Sequence, residues 1–598
     1  MTRPGRAVFV LPAATLVTFG ALWLTPIAVA QSDACTQNTD CPAGFTCVTA
    51  EASDQAGYCE PTPEEAPASE QPSSDEPASE APFEGAVDLA PDPSYGVASS
   101  QLTSLLNEGL ALLDDERYLD AGLRFNDIAN NGDPALPVVQ EAQFALAVSL
   151  FELGLFQSAL LQFESIVDEG AAHAKYRESL PYLLFISRQT VGDENIRARI
   201  AEFPPEFYPA ELADELHFLV GQYFYTGGSY DDALARFQRV SESNGDYYVR
   251  ARYLEGVIHV QASGLAEDPE AADPSRLGEA AKTLKAVLRF RRDNGSTETI
   301  DKVAAMANLA LGRLFFSTRQ YQVAVRYYDR VSEEDSDWLE SMFEVSWVYF
   351  QLKKYGRSLG NLHTLNSPFF TDQYFPESRV LQALILFYNC RYDEADDIVQ
   401  SFVQDYYPLM TELKGQIEQF DDPNAFYRWL ARLSKRGASE FSGRFTKIFN
   451  AALADKKLRR KFFFVTTLNK ELARMRSAAK EQPAAEPFLA NLEAELTGYR
   501  GLVVGEAGAL AQARLQRVLR ELKQHLAGAL KIKGETLKAR RGVLADSIRQ
   551  EQTAAASADT TIFVDPEHLE WPFVGEYWRD ELGSYRYDIS SRCGADAP

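Results

Sequence analysis

The chain has little histidine and little cysteine, six of each in 598 residues. Neither is spaced for catalysis. His173, His217, His259, His363, His525 and His568 are scattered, with no two at i, i+3 or i+4, so the H-E-x-x-H zinc arrangement is absent. G-x-S-x-G is absent, as is a glycine-rich phosphate loop before Lys-Ser/Thr. Ser477-Ala-Ala-Lys480 matches S-x-x-K, but it lies in a basic helical stretch without companion motifs. The acidic pairs Asp231-Asp232 and Asp396-Asp397 fall where helices begin and complement the helix dipole; no ligand-rich calcium loop accompanies them. These absences point away from an enzyme and from a resident metal or cofactor. Positive charge is also scarce: the formal net charge is −27, which argues against binding nucleic acid through a basic surface. Past the first thirty residues no run approaches the ~18 apolar residues of a membrane helix.

What is present begins with a leader. Arg3 and Arg6 precede the apolar stretch 7–24, and Ala28-Val29-Ala30 stands before Gln31. That pattern predicts a signal peptide over 1–30, cleaved after Ala30, with a retained membrane anchor as the alternative. The expected location is the periplasm, the cell surface or the extracellular space. Cys35, Cys41, Cys47 and Cys59 then lie in an oxidising compartment and predict a small disulfide module over 31–60. Three pairings are possible, and the sequence does not choose among them. A zinc knuckle is the rival, but C-x-x-C spacing and a nearby His are both missing. Residues 61–97 are rich in Pro, Glu, Ser and Ala and poor in aliphatics, which predicts a disordered acidic tether. Cys390 and Cys593 are left over; either they pair, stapling the C-terminal tail to the helices, or they remain apart.

A series of small and aromatic residues recurs between 98 and 406. Gly221, Tyr230, Ala233 and Phe237 form one set; Gly109, Tyr118, Ala121 and Phe125 another. Ala147, Phe156, Ala159 and Phe163 repeat it, as do Gly312, Tyr321, Ala324 and Tyr328. Ser346, Tyr355, Ser358 and Leu362 are looser, and Ala383, Tyr392, Ala395 and Val399 complete the series. The gaps leave room for a degenerate unit near Tyr182–Ile200. They leave room for another that uses Gly256, Leu277, Ala280 and Leu284 around an extra loop, Ala266–Pro274. The pattern resembles the tetratricopeptide repeat family, with its 34-residue helix pairs. The resemblance implies an all-α solenoid of about eight units over 98–406.

Further helices are expected over 407–484, including Asn424–Ala438 and Phe441–Ala454. Residues 485–556 show helical apolar spacing, but their glycines argue for two or three helices rather than one rod. These helices either pack back on the solenoid or form a coiled-coil dimer. From Asp455 to Arg549 there are 20 Lys/Arg against 10 Asp/Glu, a basic segment in an acidic chain. The tail, 557–598, is aromatic and expected to dock on the protein's own helices, with a partner site as the alternative.

Members of the resembled family bind ligands on the concave face built from first helices. Transferred to this chain, that face holds Phe144, Val148 and Phe151, then Phe218, Gln222 and Tyr225. Leu309, Arg313 and Phe316 follow, then Phe343, Trp347 and Phe350. Phe, Leu, Trp or Gln stand where some members carry a Lys/Asn carboxylate clamp, which puts that mode in doubt. Such a groove suits an apolar peptide held by a few buried anchors. Its aromatics otherwise pack against the C-terminal helices. The expected role is a non-enzymatic scaffold of the bacterial cell envelope whose partners are envelope proteins or peptides. The alternatives are an envelope-polymer or carbohydrate binder using the basic helices and tail, or an enzyme with a C-terminal site. Oligomeric state is left open.

Overall fold

The computed structural model describes residues 34–35, 45–48, 57–61, 93–436, 453, 455–550 and 576–593, except 192, 194, 371 and 372. The predicted signal peptide, the linker from 62 to 92 and nearly all of the helix expected over Phe441–Ala454 lie outside the described residues, as does the pairing of Cys35, Cys41, Cys47 and Cys59.

The N-terminal unit, 21–101, contains a three-stranded antiparallel sheet that the all-α expectation did not include. Its strands are β1 (Ala34–Cys35), β2 (Phe45–Val48) and β3 (Gly57–Pro61), in the order β1-β3-β2. Phe45, Thr46, Val48 and Tyr58 are the aromatic and β-branched types that suit a pleated surface. Cys47 stands opposite Cys59 in the ladder.

From Pro93 onward, helices run as antiparallel pairs. They are α1 (Pro93–Asp114) with α2 (Tyr118–Asn131), α3 (Pro137–Glu152) with α4 (Phe156–Glu169), and α5 (Tyr176–Gln189) with α6 (Asn195–Ala201). Next come α7 (Ala213–Thr226) with α8 (Tyr230–Phe237), α9 (Gly245–Ala262) with α10 (Pro274–Asn294), and α11 (Glu298–Ser317) with α12 (Tyr321–Tyr328). The last are α13 (Trp338–Gln351) with α14 (Tyr355–Leu365), and α15 (Pro376–Tyr388) with α16 (Tyr392–Glu418). These are units 1 to 8. The α5–α6 pair occupies the degenerate position, and the extra loop separates α9 from α10.

One turn is repeated with little change. In six units the second helix opens on an aromatic: Tyr118, Phe156, Tyr230, Tyr321, Tyr355 and Tyr392. Two residues earlier the backbone is left-handed, with φ between 56° and 81° at Glu116, Gly154, Gly228, Arg319, Lys353 and Cys390. The next N–H, that of Arg117, Leu155, Ser229, Gln320, Lys354 or Arg391, reaches back five residues to a carbonyl of the first helix at 2.8–3.0 Å. That is the Schellman closure, which satisfies carbonyls left over at a helix end. The small residues of the series work at the crossing of each pair. A Cβ on Gly109, Gly221 or Gly312 would lie 2.5–2.7 Å from the ring of Phe125, Phe237 or Tyr328. The aromatic on the second helix therefore fills the volume that a side chain on the first would need.

After unit 8 come α17 (Pro423–Arg436), α18 (Lys456–Glu481) and α19 (Glu486–Gln550). The expectation of two or three helices over 485–556 is corrected here, because α19 runs unbroken for 65 residues, about 100 Å at 1.5 Å per residue. Its apolar stripe explains this. Leu489, Leu492, Leu496, Val503, Val504 and Ala507 are buried with the core of units 1–3, while Leu515, Val518, Leu522, Leu526 and Ile532 are buried with unit 8 and α17. One of the glycines is needed, since a Cβ on Gly508 would lie 1.9 Å from the Pro423 carbonyl.

The hairpin α18–α19 meets units 1–3 at their interhelix turns. Glu471 accepts the Gln157 and Ser158 N–H groups at the start of α4, each at 2.9 Å, and the Ser158 hydroxyl at 2.9 Å. Arg474 donates to the Gly154 carbonyl at 2.8 Å, and Gln482 to Asp120 at 2.5 Å. At the other end Lys533 pairs with Asp396 and Arg540 with Asp393, at the start of α16. The tail, 576–593, lies along α14. Tyr577 stacks on His363 at 4.3 Å, Tyr587 donates its N–H to the Gly356 carbonyl at 3.0 Å, and Cys593 is disulfide-bonded to Cys390.

Candidate partner-binding groove

The first helices of units 3–8 stand side by side and are joined by rungs running from one to the next. Arg188 of α5 forks onto Glu215 of α7, with N···O distances of 3.0 and 2.5 Å. The Tyr247 hydroxyl of α9 bonds the same Glu215; burial first, and then that carboxylate, push the phenol up to about 12. Tyr225 of α7 bonds Gln261 of α9, and burial lifts its pKa to about 12. Arg313 of α11 donates to Glu344 of α13 at 2.9 and 3.0 Å and also pairs with Glu340. Trp347 of α13 bonds Glu377 of α15.

The charges in these rungs are partly desolvated. Burial works against the Arg313 guanidinium, but Glu344 and Glu340 more than offset it and hold the group protonated. Burial raises Glu340 to about 7 against the pull of Arg313. It lifts Glu377 well above the usual carboxylate range despite the Trp347 hydrogen bond. Two carboxylates on one guanidinium, each side chain about a fifth exposed, form a face able to receive a cation or a hydrogen-bond donor.

The structure spreads the expected anchors over two situations. Phe218 and Phe343 are buried between helices, 5% and 9% exposed, Phe218 against Phe237 and Tyr247 and Phe343 against Phe375. They fasten neighbouring units. Phe144, Phe151, Tyr225, Phe316, Trp347 and Phe350 are half-buried. Phe144 and Phe151 lean on Tyr182, Tyr225 on Tyr230, and Phe316 on Tyr321. Phe350 touches Trp347, Tyr355 and Tyr388. These partners all belong to the repeats. Phe144 and Phe151 join the core that units 1–3 share with the hairpin, whereas Tyr225, Phe316 and Phe350 pack within cores built from the repeats and, at the tail, Tyr587 and Ile589.

Sequence reasoning missed the acidic rungs. Their signal is a charge pair 27 residues apart, Arg188 to Glu215 and Arg313 to Glu340, somewhat less than one repeat. Among the described residues no group of three or more His, Cys, Asp or Glu is placed to hold a metal ion. No described helix is long and apolar enough to cross a membrane.

Residues 219–296, from α7 through α10, match the model of the tetratricopeptide repeat family. Among solved structures, similarity extends to RapI in its apo form at 13% identity, covering 59% of this chain and 98% of that one with a TM-score of 0.28. It extends to a tetratricopeptide repeat protein from Parabacteroides merdae at 13% identity, covering 51% and 93%, TM-score 0.22. The apo form of the quorum sensor NprR from B. thuringiensis is similar at 13% identity, covering 62% and 99%, TM-score 0.23. No curated protein matches the sequence. Residues 219–296 thus match the tetratricopeptide repeat family, and the same left-handed turn and small-to-aromatic crossing recur in helix pairs on either side of them.

Proposed function

We propose that the chain is a non-enzymatic scaffold of the bacterial cell envelope that holds a partner protein or peptide in the groove of units 4–7. The observation that carries this reading is the row of side chains along the first helices α7, α11 and α13. Half-buried Tyr225, Phe316, Trp347 and Phe350 alternate with the Arg313–Glu340–Glu344 cluster, and their ring partners come from the repeats. Apolar anchors flanked by oriented charges are what a peptide-binding surface needs for affinity and register. The envelope setting rests on the leader read from residues 1–30 and on the neighbouring cysteines.

The test is affinity capture from an envelope extract with the native chain and with a Tyr225→Ser/Phe316→Ser variant, after both give the same helical content. The expected result is a protein retained by the native chain and lost from the variant. Identical sets of captured proteins would sink the groove reading.

A further inference from the structure

We propose that the turn of unit 7 and the C-terminal tail together form a binding site for a multiply charged oxyanion of the phosphate class. A cleft of about 340 Å³ opens there, lined by Lys353, Lys354 and Arg357 from the turn and the start of α14, and by Arg586 and Asp588 from the tail. Four cations meet one carboxylate in a chain whose net charge is −27. Lys353, Lys354 and Arg586 are exposed and have no ion pair among the described residues. The Arg357 guanidinium lies 5.7 Å from the centre of the Tyr349 ring.

The cluster is built by the fold. Gly356 and Gly360 leave α14 bare where the tail crosses it; a Cβ on either would meet the Tyr587 or Tyr585 carbonyl at 2.2 or 1.7 Å. Side chains alternate along an extended segment. Tyr585 and Tyr587 point at His363, with ring centres 4.7 and 5.7 Å away, which leaves Arg586 on the opposite side beside the lysines. The Arg592 N–H donates to the Asn389 carbonyl at 3.0 Å, and the Cys390–Cys593 disulfide fastens the end of the segment. Lys353 is fixed as well, in the left-handed turn position with φ of 58°. Two guanidinium forks and two ammonium groups around one opening match an oxyanion with two or more charges better than a single carboxylate. Because the tail supplies Arg586, the site depends on the disulfide.

Inorganic pyrophosphate titrated calorimetrically into the full chain at low ionic strength tests the site. One equivalent is expected to bind. Affinity is expected to fall at least ~tenfold in Arg586→Glu and in Lys353→Glu/Lys354→Glu, the scale of one lost charge-assisted contact. Arg586→Gln, the milder change, should weaken binding in the same direction, and Cys390→Ser/Cys593→Ser should weaken it by loosening the tail. Arg517→Glu/Arg520→Glu on α19 should leave it unchanged. Vesicles containing phosphatidic acid separate the sources of the anion: if they bind and pyrophosphate releases them, the site takes a lipid headgroup; if they do not bind, it takes a soluble anion. The proposal is overturned if the native chain binds no pyrophosphate, or if the α19 variant loses as much affinity as the cleft variants.

Discussion

Four of the six repeated turns place a side chain where the backbone is left-handed: Glu116, Arg319, Lys353 and Cys390, against Gly154 and Gly228. For a residue with a Cβ this conformation costs roughly 1–2 kcal/mol. Arg319→Gly is therefore expected to raise stability by about 0.5–1 kcal/mol, and Gly228→Ala to lower it by about 1 kcal/mol. Denaturant midpoints measure both, and a loss of stability in Arg319→Gly would show that the Arg319–Glu270 pair outweighs the strain. A second residue-scale prediction concerns Glu255, which burial raises to about 7 against the pull of Arg252, 2.8 Å away. A carboxyl with a raised folded pKa contributes stability that is full below its unfolded value near 4.5 and is lost as pH rises through about 7. Glu255→Gln should therefore flatten stability between pH 5 and 8 relative to the native chain. The difference is on the order of 1–3 kcal/mol over that window. Parallel pH curves for the two proteins would mean that the Arg252 pair keeps Glu255 ionised.

At the level of elements, Glu471 joins the hairpin to the repeats through two backbone N–H groups and a hydroxyl. Glu471→Ala strands those donors in a buried place and is expected to cost about 2–3 kcal/mol. A denaturation midpoint within a few tenths of the native value would mean that the α4 terminus finds another acceptor. The elements were legible in the sequence to different depths. The repeat phase was plain because a small residue, an aromatic and an alanine must recur wherever two helices cross closely: Gly221 with Phe237, Gly312 with Tyr328. The length of α19 was not legible. Glycine carries a helix penalty of about 1 kcal/mol each, and the burial that offsets it comes from helices hundreds of residues away. The N-terminal strands escaped because segments of two to five residues leave too little period to read. The places of Tyr225, Phe316 and Trp347 on first helices were legible because they follow from the phase. The carboxylates that meet Arg188 and Arg313 lie in the next unit, beyond any local window.

Across the whole large unit, α19 ties the first repeats to the last: one half of its stripe completes the core of units 1–3 and the other half that of unit 8. The basic charge of this region is partly spent on pairs with Asp393 and Asp396, and the described tail rings Tyr577, Tyr585 and Tyr587 are taken up by His363. Deleting 485–598 should therefore lower the thermal midpoint and expose apolar surface to a hydrophobic dye. An unchanged midpoint would show that the hairpin rests on a complete solenoid. The central claim is that a partner lies against the first helices of units 4–7. It is tested most directly by placing a photo-crosslinking residue at Phe316, on the first helix α11, and in a second protein at Gln322, exposed on α12. Irradiation in an envelope extract should join a partner to position 316 and not to 322. Equal crosslinking at both positions, or crosslinking at 322 alone, would contradict the account.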